Sequence, residues 1–104
     1  MKLYEGMFLI NPELDEDSFN KEVETIKNEI VKEKGNIEEV KVIGRRKLTY
    51  QIKKQSYALY VLMLFKVGTA AIDKLRKKYH LNQNVLRELI FIKDKKLPLN
   101  EITE

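Results

Sequence analysis

Between Tyr57 and Val67 the chain carries its strongest strand signal, and apolar side chains fall on both faces of that segment. With a side-chain period of two, Val61, Met63, Phe65 and Val67 share one face, while Tyr60, Leu62 and Leu64 share the other with Lys66. A strand that is apolar on both sides belongs in the interior of a sheet and needs cover above and below. The remaining chain must supply that cover. At 104 residues it has room for one domain with a real core and not for two.

The other elements follow from periodicity and breakers. Leu3 to Ile10 reads as a strand, ended by Asn11-Pro12 because proline fixes φ and removes a donor. Phe19, Val23, Ile26 and Ile30 recur at helical spacing behind a crowd of acids that suits a helix N-terminus, and Gly35 is a natural stop. Ile37 to Ile52 is a long strand candidate in which Gly44 predicts a bulge or bend. A polar turn at Lys53 to Ser56 precedes the Tyr57 strand, and Gly68-Thr69 opens a second helix with Ile72, Leu75 and Tyr79 on one face. Val85 to Ile92 is the last strand. The order predicts a ferredoxin-like β-α-β-β-α-β sandwich, an α+β fold with a four-stranded antiparallel sheet and two helices on one face. The domain is expected over residues 1–94, with a loosely held polar tail over 95–104.

That architecture leaves one sheet face uncovered. In the first strand Tyr4, Gly6, Phe8 and Ile10 lie on one side, and Leu3, Glu5, Met7 and Leu9 on the other. The first and third strands are the central pair of such a sheet, so the open face presents a patch of Met7, Leu9, Leu62 and Leu64 beside Tyr60. A patch of this kind is a binding surface, unless side chains of the tail or the edge strands fold over it.

Catalysis has little to build on. The chain has no cysteine, which removes thiolate chemistry, disulfides and cysteine metal sites, and a single histidine, His80, at the end of the second helix. The four glycines are widely separated, so there is no phosphate-cradling loop. No enzyme, metal or cofactor is expected, and no small-molecule substrate. The first residues lack a signal-peptide pattern, and the longest apolar stretch, Ala58 to Phe65, is far too short to span a bilayer. A cytoplasmic protein with no membrane partner is the expectation.

The net charge of +4 says less than its distribution. Acids dominate from Glu13 to Glu33, whereas Lys41 to Lys54 holds six cations and no acid, and a second basic group follows at Lys74, Arg76, Lys77 and Lys78. On a regular strand Arg45, Lys47, Thr49, Gln51 and Lys53 share one face, opposite Leu48, Tyr50 and Ile52. Cations two residues apart lie roughly 6.6 Å from each other, comparable to successive phosphates of one nucleic-acid strand. The same cations also guard a sheet edge against aggregation, and both roles are compatible.

Tyr4-Glu5, Asn11-Pro12, the run from Gly44 to Lys54, Tyr60-Val61-Leu62-Met63 and Asn84-Val85-Leu86-Arg87 closely resemble the bacterial small-subunit ribosomal protein six family, in order and over about residues 2–94. The family often has Ala-Tyr-Pro-Ile where this chain has Thr49-Tyr50-Gln51-Ile52. The resemblance implies a ferredoxin-like fold and a role in the small ribosomal subunit, binding the central domain of its 16S ribosomal RNA together with ribosomal protein eighteen during assembly. It makes Arg45, Arg46, Lys47, Lys53, Lys54 and Arg87 the candidates for RNA contact. Met7, Leu9, Tyr60, Leu62 and Leu64, or the edge of the second strand, become the candidate surface for the partner protein.

Two other readings share the topology. An RRM would stack bases on aromatic residues of the open sheet face, but here that face carries Leu62 and Leu64 and the signature is missing. A ferredoxin-like dimerising or small-molecule-sensing module would use the apolar face for itself and have no affinity for RNA.

Overall fold

The computed structural model describes residues 1–93. The expected tail over 95–104 lies outside them. β1 (Lys2–Ile10), α1 (Glu16–Lys32), β2 (Asn36–Ile52), β3 (Gln55–Val67), α2 (Ile72–Leu81) and β4 (Val85–Ile92) follow in that order, with one 3-10 turn at Thr69–Ala71 before α2. The sheet order is β2-β3-β1-β4 and every pairing is antiparallel. The fold is the ferredoxin-like sandwich that the order of periods predicts.

α1 begins where Asp15 accepts the Ser18 N–H at 2.7 Å, a bond that holds the Asp15 carboxyl below its usual range. Val23, Ile26 and Ile30 are buried and Phe19 packs beside them. The helix ends in a Schellman pair, with Lys34 N–H on Val31 O at 2.9 Å and Gly35 N–H on Ile30 O at 3.0 Å. The left-handed residue of this cap is Lys34, at φ 64°, and not the glycine. Gly35 is required for a different reason. A Cβ there would lie 2.7 Å from Ile30 Cγ2 and 2.9 Å from the carbonyl oxygens of Ile30 and Lys66.

The main core lies between helices and sheet. Phe8 meets Tyr79 edge to face at 5.0 Å, Tyr4 stacks on Phe65 at 5.9 Å, and the Tyr79 hydroxyl donates to Ile26 O at 2.9 Å, joining α2 to α1. Burial raises the Tyr79 phenol well above its ordinary value. Arg76 reaches from α2 to Ile90 O at 2.9 Å.

A second cluster, Met7, Leu9, Leu48, Ala58, Tyr60 and Leu86, occupies the opposite face of the sheet. Its cover comes from an irregularity in β2. Beyond one-residue shifts at Ile37/Glu39 and Val42/Gly44, pairing continues to Lys47 opposite Tyr57 and resumes at Ile52 opposite Gln55, so Leu48–Gln51 stand against Ser56 alone. The surplus bends the hairpin and brings Leu48 and Ile52 over the sheet. Gly44, at φ 109°, marks a second bulge, as expected. Lys53 and Lys54 form the tip, both left-handed at φ 49° and 68°, as a two-residue I′ turn requires.

Candidate nucleic-acid interface

β1 ends at Ile10, opposite Leu59, so beyond Arg45 the β2–β3 hairpin projects as two strands. Its tip is tied back to the body. Lys53 Nζ donates to Val85 O at 3.0 Å, and Gln55 Nε2 to Glu13 Oε2 at 3.0 Å. The receiving loops are themselves pinned. Asn82 and Asn84 donate to the Glu22 carboxylate at 2.7 and 3.2 Å, and Asn11 N–H donates to Asn84 O at 2.8 Å.

The six candidate cations are all exposed but form two groups rather than one ladder. Arg45 and Lys47 face the helix side, in register with Leu59 and Tyr57, and the Arg45 guanidinium lies 4.5 Å from the centre of the Tyr57 ring. Arg46 is in register with Ala58 on the other side, its Nη1 donating to Arg45 O at 3.0 Å. Past the irregularity, Lys53 and Arg87 approach the start of β4. Arg87, beside the bulge at Leu86, donates through Nη1 to the Tyr50 hydroxyl at 3.4 Å. The single face expected for Arg45, Lys47 and Lys53 is therefore interrupted by the four-against-one slip between them.

Charge pairing separates this end from the helices. Lys27, Lys32 and Lys78 pair with Glu24, Glu29 and Glu33 on the helical layer. Among the described residues, no carboxylate pairs with Arg45, Arg46, Lys47, Lys53, Lys54 or Arg87. The hairpin end thus keeps its positive charge, whereas on the α1–α2 surface Lys27, Lys32 and Lys78 are spent on ion pairs among the described residues and Lys21, Lys74 and Lys77 are not. Of the second basic group, Arg76 and Lys78 are likewise engaged. The raised Lys78 pKa reflects its hydrogen bond to Glu29 first.

The expected partner surface needs correction. Met7, Leu9 and Tyr60 are only 1%, 3% and 1% exposed, sealed beneath Leu48 and its neighbours. Leu62 and Leu64 remain half-buried, and with Ile43, Leu89 and Phe91 they form what is left of the open apolar face.

Sequence reasoning did not single out Tyr50 and Tyr57, the aromatic residues set beside Arg87 and Arg45. Nothing in the local sequence marks them, since Tyr50 stands between Thr49 and Gln51 and Tyr57 between Ser56 and Ala58. Beneath the bend lies a cleft of about 280 Å³, lined by Leu9, Leu48, Ile52 and Leu89 together with Thr49, Tyr60, Tyr50 and Arg87.

Residues 3–92 match the family described as Ribosomal protein S6. This chain belongs to the ribosomal protein S6 family. The small ribosomal subunit protein bS6 of Mycolicibacterium paratuberculosis is 36% identical over 95 residues, covering 91% of this chain and 99% of the relative. That of Clostridium botulinum strain Loch Maree is 34% identical over 94 residues, covering 90% and 100%. The crystal structure of 30S ribosomal protein S6 from Thermotoga maritima superimposes with a TM-score of 0.83 at 30% identity, covering 89% of this chain and 88% of that one. As an S6 protein the chain is a structural component of the small ribosomal subunit, resident on the cytoplasmic ribosome, and not an enzyme. No helix among the described residues is long and apolar enough to cross a membrane.

Proposed function

We propose that this S6 protein binds the central domain of 16S ribosomal RNA through its cationic hairpin end and pairs there with ribosomal protein eighteen, aiding assembly of the small subunit. The observation that carries the RNA reading is the set of six exposed cations at one end of the domain, none with a carboxylate partner among the described residues. Unpaired cations at one end of a small domain create a positive field that attracts a polyanion and releases its counterions on contact. Arg45, Arg46 and Lys47 make phosphate contacts from the projecting ribbon, and Lys53, Lys54 and Arg87 from the tip and the start of β4.

Pairing with ribosomal protein eighteen uses the unsealed part of the apolar face, Leu62 and Leu64 with Ile43, Leu89 and Phe91, together with the free edge of β2. A strip this narrow suits a partner that also holds the same RNA, since two modest contacts on one scaffold reinforce each other through effective concentration. Titration of a central-domain transcript with this chain, with ribosomal protein eighteen and with both measures the proposal directly. Tighter binding by the pair than by either protein is the expected result. RNA binding by the partner that is indifferent to this chain would refute it.

A further inference from the structure

We propose that the cleft beneath the β2 bend receives an unpaired RNA nucleotide, its base against the Tyr50 ring and its phosphate on Arg87. This rests on the RNA-binding reading above and specifies the form of RNA that the site takes. Tyr50 is 65% exposed although it sits between two residues of an apolar alternation whose neighbours Leu48 and Ile52 turn inward. The ring thus lies at the edge of a slot of mixed polar and apolar lining, with Arg87 Nη1 donating to its hydroxyl at 3.4 Å. The remaining N–H groups of Arg87 have no partner among the described residues. Lys53, anchored on Val85 O, stands at the same strand start with no carboxylate partner among the described residues.

The chemistry of the edge selects the occupant. An apolar side chain from a protein would satisfy the walls of Leu9, Leu48, Ile52 and Leu89. It would also strip water from the Arg87 guanidinium while offering no counter-charge, which is costly. A nucleotide supplies both a flat ring for the aromatic edge and an anion for the guanidinium. Bases inside a duplex have both faces occupied by stacking, so only a bulged, looped or single-stranded residue can enter. The sheet face itself offers leucines where an RRM has stacking aromatics. Besides the half-buried Phe91, the exposed aromatic ring on this side is Tyr50 at the bend.

The chain has no tryptophan, so Tyr50→Trp creates a single emission reporter at the slot. The probes are a short mixed-sequence single-stranded oligoribonucleotide, the same strand annealed to its complement, and the central-domain transcript, all at low salt. The expected result is quenching by the single strand and by the transcript, and little by the duplex. Tyr50→Ala should weaken transcript binding by roughly tenfold to a hundredfold, the range for loss of one stacked base, with an unchanged salt slope and an unchanged melting temperature. Equal quenching by the duplex, RNA binding without quenching, or quenching by ribosomal protein eighteen alone would each overturn the cleft assignment and leave RNA binding standing. If wild-type chain bound neither strand nor transcript, the RNA reading itself would fall.

Discussion

Replacing Arg45, Arg46 and Lys47 by alanine removes half of the six exposed cations at the hairpin end, and the salt dependence of RNA binding should report that loss. Each phosphate contact contributes about −0.9 to the slope of log K against log salt on a duplex and about −0.7 on a single strand. With all six cations engaged, the wild-type slope is about −4 to −5, and a fourfold rise in salt weakens binding roughly 300- to 2000-fold. Three contacts leave a slope of about −2 to −3 and a loss of only roughly 20- to 40-fold over the same range. The fold should survive, because all three side chains are exposed and, besides the surface bond of Arg46 to Arg45 O, their specific contact is Arg45 over the Tyr57 ring at 4.5 Å. Losing that contact costs about 0.5–1 kcal/mol, or roughly 2–8 °C in melting temperature. Fluorescence anisotropy with the central-domain transcript at several salt concentrations, with thermal melts on the same samples, gives both quantities. Parallel lines for wild type and variant would mean that these cations touch no phosphate and serve only to guard an exposed strand edge.

Three further outcomes follow from particular contacts. Leu62→Asp introduces a carboxylate in register with Lys41, at the unsealed part of the apolar face. It should impair co-purification with ribosomal protein eighteen more than it lowers the melting temperature, and a loss of stability alone would make this position core rather than interface. Gly35→Ala drives a Cβ against two backbone carbonyls at 2.9 Å and should cost about 1–3 kcal/mol in urea unfolding, whereas Gly68→Ala, with no atom within 4 Å, should be near neutral. Tyr79→Phe removes the bond to Ile26 O and should cost about 1 kcal/mol near neutral pH. Burial places the folded phenol above its ordinary value of 10.0, so its contribution is complete below pH 10 and declines above it, by about 1.4 kcal/mol at pH 11. The two stability curves should therefore meet near pH 11, and a constant gap from pH 8 to 11 would contradict the assignment.

The layers of the fold were legible because period and burial agree almost residue by residue. Val23, Ile26 and Ile30 on α1 and Ile72, Leu75 and Tyr79 on α2 are the buried stripes that helical spacing selects, and β4 spans Val85–Ile92 as read. Agreement ends where backbone geometry overrides pattern. At the end of α1 a glycine invites assignment to the left-handed position, yet Lys34 occupies it, because the next residue must pass within contact of Ile30 and Lys66. A side chain is tolerated in the strained conformation more cheaply than a Cβ is tolerated at the close approach.

The candidate site was legible in its charges but not in its shape, and the reason lies in Leu48–Gln51. Their alternation of apolar and polar residues is that of a regular strand, so nothing in it announces that all four stand opposite Ser56 alone. That single slip has three consequences. It turns Leu48 inward and so removes Met7, Leu9 and Tyr60 from the surface, shrinking the expected protein interface to a strip around Leu62 and Leu64. It divides the cations between the two sides of the hairpin. It also leaves Tyr50 in water beside Arg87 at the mouth of the slot formed between bend and sheet. Burying the apolar face and building the RNA-facing edge are thus one structural event. A substitution that straightens the bend, with Leu48 as its anchor, should expose apolar sheet surface and disperse the cation–aromatic pair together.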